Sequence, residues 1–403
     1  MKNMLRGLSI TAAAGVIALF AMVASAQESS ALPDADNGFG LDLLRQVASG
    51  QPGQNIFISP FSAATALQMV ANGAAGQTKT EMQRVLHTAG IAPPELNADC
   101  KALNQSLNSQ KDVILDLANG IWQQDNFQLT PAFISDNRKY FDAELAAVNF
   151  LSPASAKTIN DWADKQTRGK IQGVVSYPFP PATEVVLANA IYFKGKWEEQ
   201  FEKNLTLPRN FHFPDGSVRQ VPMMSKRHRF SYEEGEGYQA VELPYVGDRL
   251  EMILFLPATG SSPQQLLEKF KGETWRDKIL PGFSLYEGFL AFPKFRLDYD
   301  VTLNDPLKAL GMPQAFSDQA DFSAMANRPV CISEVQQKSY VDVDEEGTEA
   351  AAVTMVTVTA LAMPMRPARN FTMIVDRPFF FVISDRRTRT ILFMGIVNDP
   401  KTP

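Results

Sequence analysis

Cysteine is nearly absent: Cys100 and Cys331 are the only two in 403 residues. At most one bridge is open to them, spacing alone does not say whether they meet, and stability has to come from a packed core. No Cys/His spacing fits a zinc site. Histidine is scarce too, with only His87, His212 and His228. There is no H-E-x-x-H, no phosphate-binding Walker loop and no G-x-S-x-G nucleophile elbow. The lone dinucleotide-like run Gly235-Glu-Gly237 leads into Val241-Glu-Leu-Pro, a strand start where a helix would be needed, and so reads as a surface turn. Asp344, Glu345 and Glu346 sit beside Gly347 and read as a solvated charged turn, not as an acid pair or metal site. No nucleophile stands with a base and an orienting group, so the expectation is a protein that is not an enzyme and has no metal and no cofactor. A surplus of positive charge is also missing. The net charge of −6 argues against a nucleic-acid or anionic-membrane partner.

Only one long apolar run exists, and it is at the N-terminus. Lys2 and Arg6 precede Leu8 to Val23, and Ala24-Ser25-Ala26 offers small residues for cleavage before Gln27. This predicts a signal peptide over residues 1–26, an exported protein (secreted or periplasmic), and no membrane attachment once the signal is removed. Residues 27–38 are polar and predict a flexible leader, with one mixed domain over 39–403. Helices dominate its first half and strands its second, an α+β pattern. Ser59-Pro60 fits a helix N-cap followed by proline at the first helical position. Thr78-Lys-Thr-Glu81 fits a capping box. Val185 to Phe193 predicts a buried strand, Phe211-His-Phe-Pro-Asp-Gly a hairpin, residues 263–280 a helix, and Val330 to Val343 another strand.

From Thr348 to Met363 the chain has neither glycine nor proline, and Glu349 is its only charge. Taken alternately, Thr348, Ala350, Ala352, Thr354, Val356 and Val358 form a face of small or β-branched residues. Glu349, Ala351, Val353, Met355, Thr357 and Thr359 form a more polar one. This is strand chemistry entered through an acidic, glycine-containing turn. It fits an ordinary sheet strand, and equally a segment that is a loop in one state and a strand in another.

Five motifs in order carry a resemblance. Asn55-Ile-Phe-Ile-Ser-Pro-Phe-Ser62, Leu187-Ala-Asn-Ala-Ile-Tyr-Phe-Lys-Gly-Lys-Trp197, Ala320-Asp-Phe-Ser323, Asp344-Glu-Glu-Gly-Thr-Glu-Ala350, and Asp376-Arg-Pro-Phe379 through Leu392-Phe-Met-Gly395 resemble the serpins across residues 39–403. The resemblance implies three β-sheets, about nine helices and an exposed, metastable reactive loop. It implies a suicide-type inhibitor of serine proteases: the loop is cleaved, an acyl bond to the protease forms, and the hinge inserts as a new central strand before the acyl-enzyme can hydrolyse. The hinge would comprise Glu345, Gly347, Thr348, Ala350, Ala351 and Ala352. Ser59, Ser62 and Asn189 match the polar cluster where the sheet parts, with Gln337 standing where the family usually carries histidine. Trp197, Lys294 and Glu345 match the group at the insertion point, including a Lys294–Glu345 ion pair.

The family's usual loop length, counted from Glu345, puts the cleaved bond at Leu361–Ala362. This suits chymotrypsin-like pockets, while Ala360 or Met363 would serve elastase-like or other chymotrypsin-like enzymes. No Arg or Lys lies between Thr348 and Met365, which argues against trypsin-like targets. The expected partner is a serine protease in a covalent acyl complex with a monomeric inhibitor. Gln337 puts pH-dependent opening in question, and Val353 stands where inhibitory members carry a smaller residue. The competing reading is a non-inhibitory member: a carrier, a chaperone or a plain protease substrate.

Overall fold

The computed structural model describes residues 31–108, 113–272, 275–348 and 370–401. Its helices are α1 (Ala31–Gly50), α2 (Pro60–Ala71), α3 (Gly76–Val85), α4 (Pro93–Asn108), α5 (Pro131–Phe141), α6 (Pro153–Gln166), α7 (Pro263–Leu267), α8 (Leu280–Gly282) and α9 (Asn304–Leu310). The strands of the first half are β1 (Ile56–Ile58), β2 (Val113–Gln124), β3 (Glu144–Val148) and β4 (Val185–Lys196). Then follow β5 (Leu207–His212), β6 (Val218–Gly235), β7 (Tyr238–Pro244), β8 (Leu250–Pro257), β9 (Ser284–Pro293) and β10 (Phe295–Thr302). The last are β11 (Glu334–Val343), β12 (Gly347–Thr348), β13 (Asn370–Ile374), β14 (Phe379–Asp385) and β15 (Ile391–Val397).

One sheet has six strands in the order β10-β11-β12-β4-β2-β3. The other hydrogen-bonded sheet has nine strands, in the order β1-β15-β14-β8-β7-β6-β9-β13, with β5 also on β6. The 18-residue β6 pairs with β5 near its start and with β7 near its end, and β9 pairs with β6 and β13. Among the described strands, hydrogen bonding through the long β6 thus joins into one nine-stranded sheet what the three-sheet expectation counts as two. The β5–β6 turn is the hairpin expected at Phe211 to Gly216.

β4 is apolar on both faces because both are covered. Val185, Leu187, Ile191 and Phe193 join the main core between the sheets. Val186, Ala188, Ala190 and Tyr192 join a smaller core with Ile159 and Ala163 of α6. Asn189 is the polar interruption of the first set, and it is 2% exposed.

Three local expectations need correction. The flexible leader over 27–38 is helical from Ala31, because Leu32, Ala35 and Phe39 recur at helical spacing and are buried. The polar residues of that stretch also have tertiary roles: Asn37 donates to the carbonyl of Arg389 and accepts from the amide of Ile391. The capping box at Thr78 and Glu81 does not form, since α3 starts at Gly76 after an uncapped Ala75. Thr78 instead accepts from the Asp321 amide, and Glu81 from the Gln314 amide. The strand expected from Val330 begins only at Glu334, and the residues before it turn aside, with the Ile332 amide bonded to Ala315. The Ser59 cap with Pro60 forms as expected.

Candidate functional site: a forked sheet and its latches

β4 and β11 pair in parallel from Glu334↔Val186 to Tyr340↔Tyr192 and then separate. Beyond that point β11 continues beside β10 to Val343, while β4 continues beside β2 to Gly195. Gly347 and Thr348 occupy the fork. Thr348 is in register with Val343 on one side and Gly195 on the other, and Gly347 with Lys196. Gly347 has φ +153°, and a Cβ there would lie 2.2 Å from the carbonyl oxygen of Gly195, so only glycine fits this entry. Thr348 is fully buried, and its Oγ1 lies 2.8 Å from the Tyr245 hydroxyl. Tyr245 in turn stacks on Trp197 at 4.7 Å.

The acidic turn expected to be solvated is buried: Glu345 is 4% exposed and Glu346 8%. The reason is a ring of specific partners. Trp197 donates its indole N–H to the Asp344 carbonyl at 2.9 Å, and the Trp197 and Phe201 amides donate to the carbonyls of Glu346 and Glu345. The Asp344 carboxylate accepts from the amides of Glu346 and Gly347. Lys294 Nζ lies 3.0 Å from Glu345 Oε2, and Thr206 donates to Glu345 Oε1 at 2.7 Å. Burial alone would raise the Glu345 carboxyl. The Thr206 hydrogen bond and the Lys294 ammonium outweigh it and hold the group below its ordinary value. Lys203 pairs with Glu346 at 2.6 Å. Thr206 and Lys203 were not apparent in the sequence, because nothing in Lys203-Asn-Leu-Thr206 distinguishes a latch from an ordinary polar turn.

Lower in the same joint lies the polar cluster. Gln337 and Asn189 are in register across β11 and β4, and Asn189 and Asn119 across β4 and β2. Gln337 Nε2 donates to Asn189 Oδ1 at 2.9 Å, and Asn189 Nδ2 donates to Asn119 Oδ1 at 2.7 Å. The row of amides therefore crosses three strands. Gln337 also closes a two-way bond with Ser59, accepting from its amide and donating to its carbonyl, each at 2.9 Å. Asn189 donates to Ser62 Oγ, and Ser59 Oγ donates to the Leu392 carbonyl. The sequence signal for Asn119 is the Asn-Gly interruption of the apolar run Val113 to Trp122.

At the lower end of the joint, where β4 and β11 begin, a cavity of about 440 Å³ opens between Ala182–Glu184 and Arg328–Cys331. Thr183 Oγ1 is buried in its wall without a hydrogen-bond partner. Glu184 pairs with Arg328. The Cys331 thiol is free, and burial, then the carboxylates of Glu184 and Asp318, push it up and make it a poor nucleophile. Cys100 is free as well.

The structure thus brings together Ser59, Ser62, Asn189 and Gln337 in one cluster, and Trp197, Lys294, Glu345, Gly347 and Thr348 in another. Ala350, Ala351, Ala352, Ala360, Leu361, Ala362 and Met363 lie outside the described residues. Among the described residues no group of His, Cys, Asp and Glu is arranged to hold a metal ion, and no helix is long and apolar enough to cross a membrane.

Comparison with known proteins bears on this geometry. Residues 34–400 match the family described as "Serpin (serine protease inhibitor)". An uncharacterized serpin-like protein of Thermococcus kodakarensis is 38% identical, covering 91% of this chain and 85% of that one. The leukocyte elastase inhibitor of Sus scrofa is 36% identical, covering 92% and 99%. The native-state crystal structure of the thermophilic serpin tengpin superposes with a TM-score of 0.84 at 29% identity, covering 91% and 94%. Thyroxine-binding globulin in complex with thyroxine superposes with a TM-score of 0.82 at 26% identity, covering 92% and 99%.

Proposed function

The chain belongs to the serpin family, and from that premise we propose that it is a suicide-type inhibitor of serine endopeptidases with chymotrypsin-like or elastase-like specificity. The observation that carries this reading is the fork: a two-residue strand stub already paired with both β11 and β4, leading into a strand-like segment of small and β-branched residues. In the proposed reaction the protease serine attacks the Leu361 carbonyl, the Leu361–Ala362 bond breaks, and the amine of Ala362 leaves. The remaining acyl ester tethers the protease to Leu361 while the freed hinge zips downward between β11 and β4.

The register of the stub can be extended. Thr348 stands against Gly195 and Val343, so each further residue moves one position down both neighbours. Glu349 then stands between Lys194, which attracts it, and Asp342, which repels it. Thr357 meets Val186 and Glu334, which are themselves paired in the closed sheet. There the ladder ends, since β4 starts at Val185 and β11 at Glu334, and the next residues, Ala360 and Leu361 among them, run on toward the cavity lined by Thr183 and Cys331. Even-numbered residues face the main core with Thr348, which fits their small, uncharged character. Val353 lands beside Ala190, under the α6 side of the sheet. About a dozen newly paired residues, each contributing roughly 0.5–1.5 kcal/mol net, give a driving force on the order of 10 kcal/mol.

The relatives named leukocyte elastase inhibitor support a small or apolar residue at the cleaved bond. The N-terminal sequence supports export, to the medium or a periplasm. A non-inhibitory role is the second reading, favoured by the likeness to thyroxine-binding globulin. One gel separates the two. Incubation with chymotrypsin or pancreatic elastase should give an SDS-resistant adduct of protease plus inhibitor, with a released peptide beginning at Ala362. Complete conversion to cleaved chain with no adduct overturns the inhibitor reading.

A further inference from the structure

β13 begins at Asn370, where the reactive segment rejoins the sheet, and the surface next to it is unusual for a chain of net charge −6. β13, β9 and β6 are neighbours there, and cross-strand register puts Asn370 with Glu287, Thr372 with Phe289, Arg227 with Phe289, and Arg229 with Glu287 on one face. Arg227 and Arg229 are exposed. The Arg227 guanidinium lies 5.7 Å from the centre of the Phe289 ring, and Arg209 of β5 lies 5.6 Å from the same ring. One half-buried aromatic ring therefore steadies two arginines by cation–π attraction, and planar forks held in this way are well suited to carboxylates. Glu287 is the only acid among these cross-strand partners. An open groove of about 700 Å³ runs between Arg227–Arg229, Glu287 and Asn370–Thr372.

The position of this face limits what can reach it. Leu361 lies nine residues before Asn370, so an enzyme engaged at Leu361–Ala362 sits within about 30 Å of the start of β13. A protease domain of roughly 230 residues has a radius of gyration of about 17 Å, a body about 40 Å across, and would overhang the groove. Building on the inhibitor reading, we infer that the Arg209–Phe289–Arg227 stack and Arg229 form a secondary docking surface for an acidic patch on the protease bound at the reactive loop. This face would set which enzymes with apolar specificity are captured fastest: acidic ones are steered in and strongly cationic ones are turned away.

The test compares native chymotrypsin with the same enzyme succinylated on its lysines, so that specificity is shared and surface charge is inverted. At low salt the wild-type chain should react at least about ten-fold faster with the succinylated enzyme than the Arg227→Glu/Arg229→Glu variant does, and the gap should close in about 0.5 M salt. The reversal should slightly favour the native enzyme. Arg227→Lys/Arg229→Lys should retain most of the preference, and unchanged melting temperatures guard against misfolding. The rate is read as loss of intact loop, so it is measurable even if no adduct forms and the inhibitor reading fails. The inference is overturned if charge reversal leaves both rates unchanged or alters them equally. It is also overturned if the arginines govern retention on a sulfated polysaccharide without affecting the choice between the two enzymes.

Discussion

Glu345 is nearly inaccessible, yet it carries a charge, and that combination makes it the most testable residue of the fork. Its carboxylate is held by Thr206 and Lys294, so removing Lys294 leaves a buried anion with one fewer partner. Lys294→Ala should cost the intact protein about 1–3 kcal/mol, measured by urea unfolding. The folded Glu345 carboxyl titrates below its unfolded value of 4.5, so its contribution is fully present above about that pH and is lost as pH falls through the folded value. The acid limb of the stability curve should therefore flatten in Lys294→Ala. Glu251 has the opposite sign. Burial, then the neighbouring Glu242, push its carboxyl up to about 8 despite Arg386 Nε at 3.1 Å. The folded state holds a proton that the unfolded state has released, so stability should decline as pH rises from about 4.5 to 8. Glu251→Gln should remove that decline in thermal melts taken across this range, and an unchanged slope would show that Glu251 is not its source. Gln337 makes the amide row insensitive to pH in the range where histidine titrates. Gln337→His should introduce loop insertion that accelerates below about pH 6.5, followed by the mobility of the uncut protein on native gels.

At the scale of single elements, the decisive one is the strand that the proposed insertion would add. Its proposed register makes a sharp prediction about the cavity at the foot of the sheet. After cleavage, Ala360→Cys should form a disulfide with Cys331 under mild oxidation by oxidised glutathione, because the inserted strand would deliver residue 360 to the cavity that Cys331 lines, and a disulfide needs a Cα separation of about 4.4–6.8 Å. Thr359→Cys and Leu361→Cys point to the other face and should not. Mass spectrometry of the linked peptides decides this, and a link formed equally from all three positions would rule the register out. Much of this machinery was legible in the sequence because strand chemistry alternates. β4 could be read as buried, and Thr348 as the head of an inward face, from residue size alone. What composition could not convey was tertiary partnership. Asp34 to Gly38 looked like a solvated leader, yet it packs as helix. Asp344 to Glu346 looked like a wet turn, yet Trp197, Phe201, Thr206, Lys203 and Lys294 converge on it from elsewhere in the chain. Polar residues hydrogen-bonded within a core carry the same letters as polar residues in water.

For the molecule as a whole, the proposed function makes the closed six-stranded sheet one of two packings open to one sequence. Between Glu334 and Tyr340, β11 pairs directly with β4, and the amide row from Asn119 through Asn189 to Gln337 ties that joint shut. Inserting the loop replaces one parallel junction by two antiparallel ones, so the ladder bonds lost are fewer than those gained. On the proposed reading the amide row would have to open, which would give the closed form a barrier against relaxing before cleavage. Hence intact and nicked chains should differ far more in stability than loss of a single peptide bond could explain. A gain on the order of 10 kcal/mol in a chain of this size corresponds to a rise in Tm of roughly 10–15 °C. Differential scanning calorimetry before and after a cut confined to residues 360–363 measures it. A charge placed on the inward face, as in Ala352→Glu, should cancel most of that rise, because the carboxylate would have to be desolvated beside Ile191. The same variant should be cleaved as fast as wild type while forming at most about a tenth of the adduct. Equal melting temperatures for intact and cut wild-type protein would mean that the closed sheet stores nothing. The fork at Thr348 would then be only the end of a loop, and the inhibitor reading would fall with the spring it depends on.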